Sequence, residues 1–111
     1  MTKDPKIFLE HIQESISEVE KYLAGVSEEA FFADSRTQNA VIRQFEIIGE
    51  AIKNLPDDLK NTHPETPWRQ WAGMRDKLIH EYFGVDLKMV WKTVKDDLPM
   101  LKEQINNLLK N

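Results

Sequence analysis

Arg75-Asp76-Lys77-Leu78-Ile79-His80-Glu81-Tyr82 places a permanent cation, a titratable imidazole and a phenol within eight residues. The chain has no cysteine and only three histidines, so few other stretches offer reactive groups. Arg75 carries a rigid fork of donors matched to phosphate oxygens. His80 has an ordinary pKa of about 6.5 and can move protons near neutrality. Asp76, one turn before His80, is placed to orient the imidazole and favour its cation. Together they can hold a phosphate and shift its protons without a metal. RNA brings its own nucleophile, the 2′-hydroxyl. His80 takes that proton or protonates the leaving 5′-oxygen, while Arg75 stabilises the charged phosphorane. The expected product is a 2′,3′-cyclic phosphate, and no cofactor is called for.

Spacing alone is a weak signal, because an Arg and a His on a helix are usually solvated or structural. Arg75 and Tyr82 are seven apart and share a helix face. Arg75 and His80 are five apart, about 140° round at ~100° per residue. One helix therefore does not aim both at one point. Either Arg75 bends across, or two copies meet at a twofold axis and each site draws on both chains. His11 and His63 lack HxxxH or HExxH spacing and read as surface residues, so a zinc site has little support. Trp68, Trp71 and Trp91 read as core or interface anchors.

The elements that must position these residues are helical. With 111 residues, a hydrophobic fraction of 41% and a charged fraction of 31%, the chain reads as one globular domain over residues 1–111. A chain of this size leaves roughly a third of its unfolded-state surface exposed, so a partner subunit would help stabilise it. Four glycines and five prolines are too few for a turn-rich β fold. No apolar run approaches a membrane span, and Met1-Thr2-Lys3-Asp4-Pro5 lacks a signal-peptide core. A cytoplasmic protein is the expectation. The net charge of −4 confines any nucleic-acid contact to a local site on an acidic body.

Asp4 and Pro5 predict a first helix with the stripe Ile7/Phe8, Ile12, Ile16, Val19 and Leu23, stopped at Gly25. Ser27-Glu28-Glu29 predicts a cap and acidic first turn for a short helix through Phe31 and Phe32. A second long helix is expected from about Ser35 to Leu55, on Val41, Phe45, Ile48, Ile52 and Leu55. Gly49 inside it costs ~1 kcal/mol against Ala and marks a close helix–helix approach. Arg43, Glu46 and Glu50 on one side of it read either as a solvated strip or as a structural element near the site. Residues 56–67 form a connector with one short turn around Asp57 to Lys60. The third long helix runs from near Trp68 to Phe83-Gly84, with Gly84 as its left-handed stop. Asp86 caps a last helix whose seam is Leu87, Trp91, Val94, Leu98, Leu101, Ile105 and Leu108. Pro99 within that seam predicts a kinked or restarted helix on one line. The fold class is all-α, an up-and-down bundle of four to five helices.

The wider pattern is Ile48-Gly49-Glu50-Ala51, Leu55-Pro56, Pro67-Trp68, Ala72-Gly73-Met74-Arg75, His80-x-Tyr82 and Leu98-Pro99-Met100-Leu101. Across nearly the whole chain it resembles the HepT-like branch of the HEPN superfamily. The resemblance implies a HEPN-like bundle that pairs as a homodimer. It also implies a metal-independent endoribonuclease that is the toxin of a toxin–antitoxin pair. Arg75 and His80 match the family's catalytic Arg and His, and Asp76 matches the polar position after the Arg. Tyr82 matches the tyrosine that a nucleotidyltransferase antitoxin modifies with AMP in some members. Two rival readings stand beside this one. One is a binding module that presents nucleotide or substrate to a nucleotidyltransferase, which the acidic balance favours. The other is a helical scaffold in which the motif only stabilises the bundle.

Overall fold

A computed structural model describes residues 4–81 and 84–110. Among them every regular element is helical: α1 (Pro5–Leu23), α2 (Glu28–Ala33), α3 (Ser35–Lys53), α4 (Asp57–Thr62), α5 (Trp68–His80), α6 (Leu87–Lys92) and α7 (Leu98–Lys110). A π turn, Thr93–Asp97, joins α6 to α7, so the last two helices form one continuous rod. The architecture is the expected all-α bundle, with α1, α3, α5 and the α6–α7 rod as its four principal members.

Local chemistry explains most boundaries. The Asp4 carboxylate accepts from the Lys6 amide at 3.0 Å, and Pro5 occupies the first helical position of α1. Gly25, at φ 74°, supplies the left-handed stop. Ser27 caps α2 by accepting from the Ala30 amide at 3.1 Å. Asp34 caps α3 through the Arg36 and Thr37 amides and takes a further bond from the Thr37 hydroxyl at 2.7 Å. α3 ends at Lys53, two residues before the expected Leu55. Pro56 disfavours helical backbone at Leu55, and Asn54 closes the helix by donating from its side-chain amide to the Glu50 carbonyl at 2.9 Å.

α3 lies at the centre, packed on α1 along one side and on α5 along the other. The core runs through Ile12, Ile16 and Val19 of α1, Phe45, Ile48 and Ile52 of α3, Trp71 and Leu78 of α5, and Leu98, Leu101 and Ile105 of α7. Phe45 meets Trp71 edge to face at 5.5 Å. Trp68 and Trp71 are buried, and the half-buried Trp91 packs on Phe31, with ring centroids 5.1 Å apart. On α1 Phe8 packs against the core as expected and Leu9 is buried, while Ile7 is 41% exposed.

Two expectations need correction. α5 stops at His80, where the Glu81 amide donates to the Lys77 carbonyl at 2.9 Å. Gly84 is therefore not its stop, and Phe83 lies outside the described residues. The seam of the last rod also slips. Pro99 has no N–H to offer the Lys95 carbonyl, and its ring crowds that oxygen. The ladder widens just ahead of it, with the Leu98 amide donating to the Thr93 carbonyl five residues back. This turns α6 by one residue, so Val90 and Thr93 are buried there while Trp91 and Val94 only flank the core.

Candidate active site

Gly49 determines where the site lies. A Cβ at Gly49 would overlap the Arg75 Cβ, stand 2.9 Å from its Cγ and 3.0 Å from the Trp71 carbonyl oxygen. The missing side chain lets α5 settle onto α3 at the level of Arg75. The close approach expected at Gly49 is therefore an approach to Arg75 itself.

From that seat the guanidinium makes two ion pairs. Nη2 lies 3.0 Å from Glu50 Oε2, and Nη1 donates to Asp76 Oδ1 at 2.8 Å. Asp76 Oδ1 accepts again from Lys53 Nζ at 3.0 Å. Glu50, Arg75, Asp76 and Lys53 thus form a row of alternating charge across α3 and α5. The bond to Asp76, with the nearby Glu50 and Glu46 charges, raises the Arg75 pKa and secures its cation. The same bond, followed by that from Lys53, holds the Asp76 carboxyl below its ordinary value. Arg75 Nε is buried and makes no hydrogen bond.

Beside this row lies a groove of about 220 Å³ between α1, α3 and α5. Arg75 and Ile79 line it from α5, Arg43, Glu46 and Glu50 from α3, and Phe8 and His11 from α1. The charged strip on α3 therefore faces the site, with Arg43 pairing to Glu46 at 3.4 Å. Glu50 was legible as a strip residue, but nothing in the sequence marked it as Arg75's partner. His11 is exposed, as expected, yet it faces the same groove as Arg75. Only tertiary packing reveals that neighbour.

His80 stands apart from the row. It is the exposed last residue of α5 and makes no hydrogen bond to Arg75 or Asp76. The angular offset read from the sequence persists: Arg75 turns to the α3 groove and His80 to solvent. Asp76 makes no hydrogen bond to the imidazole, and its Oδ1 is engaged by Arg75 and Lys53. Tyr82 lies outside the described residues. Chemically, the arrangement is a cationic fork occupied by two carboxylates where two phosphate oxygens would fit. An entering phosphate must replace at least one of them.

The family model for Ribonuclease HepT-like proteins matches residues 12–108. A Thermococcus cleftensis protein named "Probable ribonuclease HepT" is 53% identical over 99% of this chain and all of its own length. A Caldanaerobacter subterraneus protein, named provisionally as an RNase, is 43% identical over 96% of each chain. A Methanocaldococcus jannaschii protein, named as a gamma-glutamylcyclotransferase and provisionally as an RNase, is 50% identical over 98% of this chain and 49% of its own length. No solved structure matches the chain.

Proposed function

Because the chain belongs to the Ribonuclease HepT-like family, we propose that it is a metal-independent endoribonuclease and the toxin of a toxin–antitoxin pair, acting on cytoplasmic RNA. The observation that carries this reading is the Arg75 fork, seated by Gly49 and presented to an open groove. In the reaction the 2′-oxygen attacks phosphorus as its proton passes to an imidazole. The O2′–P bond forms, the P–O5′ bond breaks, and the 5′-oxygen leaves with a proton. Arg75 neutralises the phosphorane oxygens. RNA supplies the nucleophile, so no metal hydroxide is required.

The proposed assembly is a homodimer. Ile79 lines the Arg75 groove and is 40% exposed, and the similarly exposed Ile7 stands on α1 beside Phe8. A second chain covering these side chains would bring two Arg75 and two His80 residues to one cleft. One imidazole then takes the 2′-proton while the other returns one to the 5′-oxygen. This pairing meets the angular problem that a single α5 cannot solve.

Purified chain incubated with RNA in EDTA should release fragments ending in 2′,3′-cyclic phosphate. His80→Ala and Arg75→Gln should each lower the rate by two orders of magnitude or more. Abolition of cutting by EDTA, or full activity in His80→Ala, overturns the mechanism. Neutralisation is assigned to a nucleotidyltransferase antitoxin that transfers AMP to Tyr82, adding anionic phosphate and bulk two residues from His80. Tyr82→Phe should still arrest growth yet escape silencing by the active antitoxin.

One observation favours a second reading. Glu50 and Asp76 occupy the Arg75 fork, as would suit a non-catalytic module that presents nucleotide to a nucleotidyltransferase. Expression without the partner separates the two, because the module does not arrest growth.

A further inference from the structure

On the opposite flank of the α3–α5 contact lies a larger trough of about 730 Å³, walled by α3, α4 and the start of α5. Three cations line it, Lys53 from α3, Lys60 from α4 and Arg69 from α5, against a single carboxylate, Asp57. On a chain of net charge −4 this is a local reversal of sign. Lys60 is held in place, donating to the Ile52 carbonyl at 3.3 Å and lying 3.7 Å from Asp57. Arg69 is exposed and forms no ion pair among the described residues. The buried Trp68 stiffens the wall, its indole N–H donating to the His63 carbonyl at 2.9 Å.

The trough is joined to the candidate active site. Lys53 lines it and also reaches Asp76, which holds Arg75. Arg69 and Arg75 are six residues apart on one helix, about 9 Å along its axis. A stacked single strand advances ~3.4 Å per nucleotide and covers that distance in about three. The two side chains also stand about 120° apart round the helix at ~100° per residue, so a strand seated on Arg75 must cross α5 as it advances to Arg69.

We propose that this trough binds the phosphates of the single-stranded RNA flanking the cut, with Lys60 and Arg69 as its contacts and Lys53 as the link to Arg75. The inference rests on the ribonuclease reading for its ligand, but binding can be measured without cleavage. A 2′-deoxy strand of about twelve nucleotides lacks the internal nucleophile and remains intact, while spanning several times the charge spacing. Its anisotropy with the full chain should show affinity falling with salt. Arg69→Gln should weaken binding several-fold at low salt and make the log–log salt slope shallower by about 0.7, the value for one phosphate contact on a single strand. Arg69→Lys should keep the parental slope. An unchanged slope in Arg69→Gln overturns the proposal. So does an equal Arg69 dependence for AMP alone, which would mark a mononucleotide site. A loss confined to polyglutamate binding also overturns it, in favour of an acidic protein partner. A chain whose strand binding depends on Arg69 but which never cuts RNA keeps the trough and sinks the ribonuclease reading. A chain that cuts RNA with an Arg69-independent slope does the reverse.

Discussion

Arg75 is positioned by what Gly49 lacks. Gly49→Ala adds a methyl group against the Arg75 Cβ, the stem of the side chain and not its movable end. Overpacking of this kind costs about 1–3 kcal/mol, offset by up to about 1 kcal/mol of improved helix propensity. The expected net loss is about 1–2 kcal/mol, a drop of roughly 5–10 °C in melting temperature by circular dichroism. Unchanged melting would mean that α5 shifts freely on α3. The Asp76 carboxyl gives a second readout. Its folded pKa lies below the ordinary value because Arg75 and Lys53 bond it. Its contribution to stability is thus fully present above the unfolded pKa and is lost as pH falls through the lower, folded one. Carboxyl NMR should place the Asp76 midpoint below the ordinary aspartate range, and Lys53→Gln should move it upward. A midpoint at the ordinary value in the parent chain would show that these bridges do not form in solution.

The helices divide into those whose limits are local and those whose limits are tertiary. Asp4, Ser27 and Asp86 were legible as caps because a short polar side chain before an apolar stripe has one favourable use. Asp86 accepts from the Lys88 and Met89 amides at 3.1 and 3.2 Å. Asp86→Ala should therefore cost about 1 kcal/mol in urea unfolding, and no loss would mean that core contacts alone hold the start of α6. The slip of the last seam was not legible. The heptad steps pass through Pro99 unbroken, and the register ahead of it depends on how the ladder relieves the Lys95 carbonyl. The site was half legible. The residue types and the close approach at Gly49 read directly from the chain. The pairing of Arg75 with Glu50, the diversion of Asp76 from His80 and the presence of His11 in the groove depend on how α1 and α3 meet α5.

At the scale of the molecule, two large apolar side chains, Ile7 and Ile79, stand open near the groove, on helices that otherwise bury their stripes. Ile79→Lys should turn a dimer into a monomer by light scattering and lower RNA cleavage in step. A monomeric parent chain, or a monomeric variant that still cuts, would remove the shared cleft. No helix among the described residues is long and apolar enough to cross a membrane. The π turn at Thr93–Asp97 bears on the chain's descent. A wide turn is the trace that a single inserted codon leaves when both halves of a helix keep their faces. Deleting Asp96 would shorten the step from Thr93 to Leu98 from five residues to four and set the proline ring against the Val94 carbonyl. An alignment gap falling inside residues 93–97 would mark a change of helix winding in place of a missing loop.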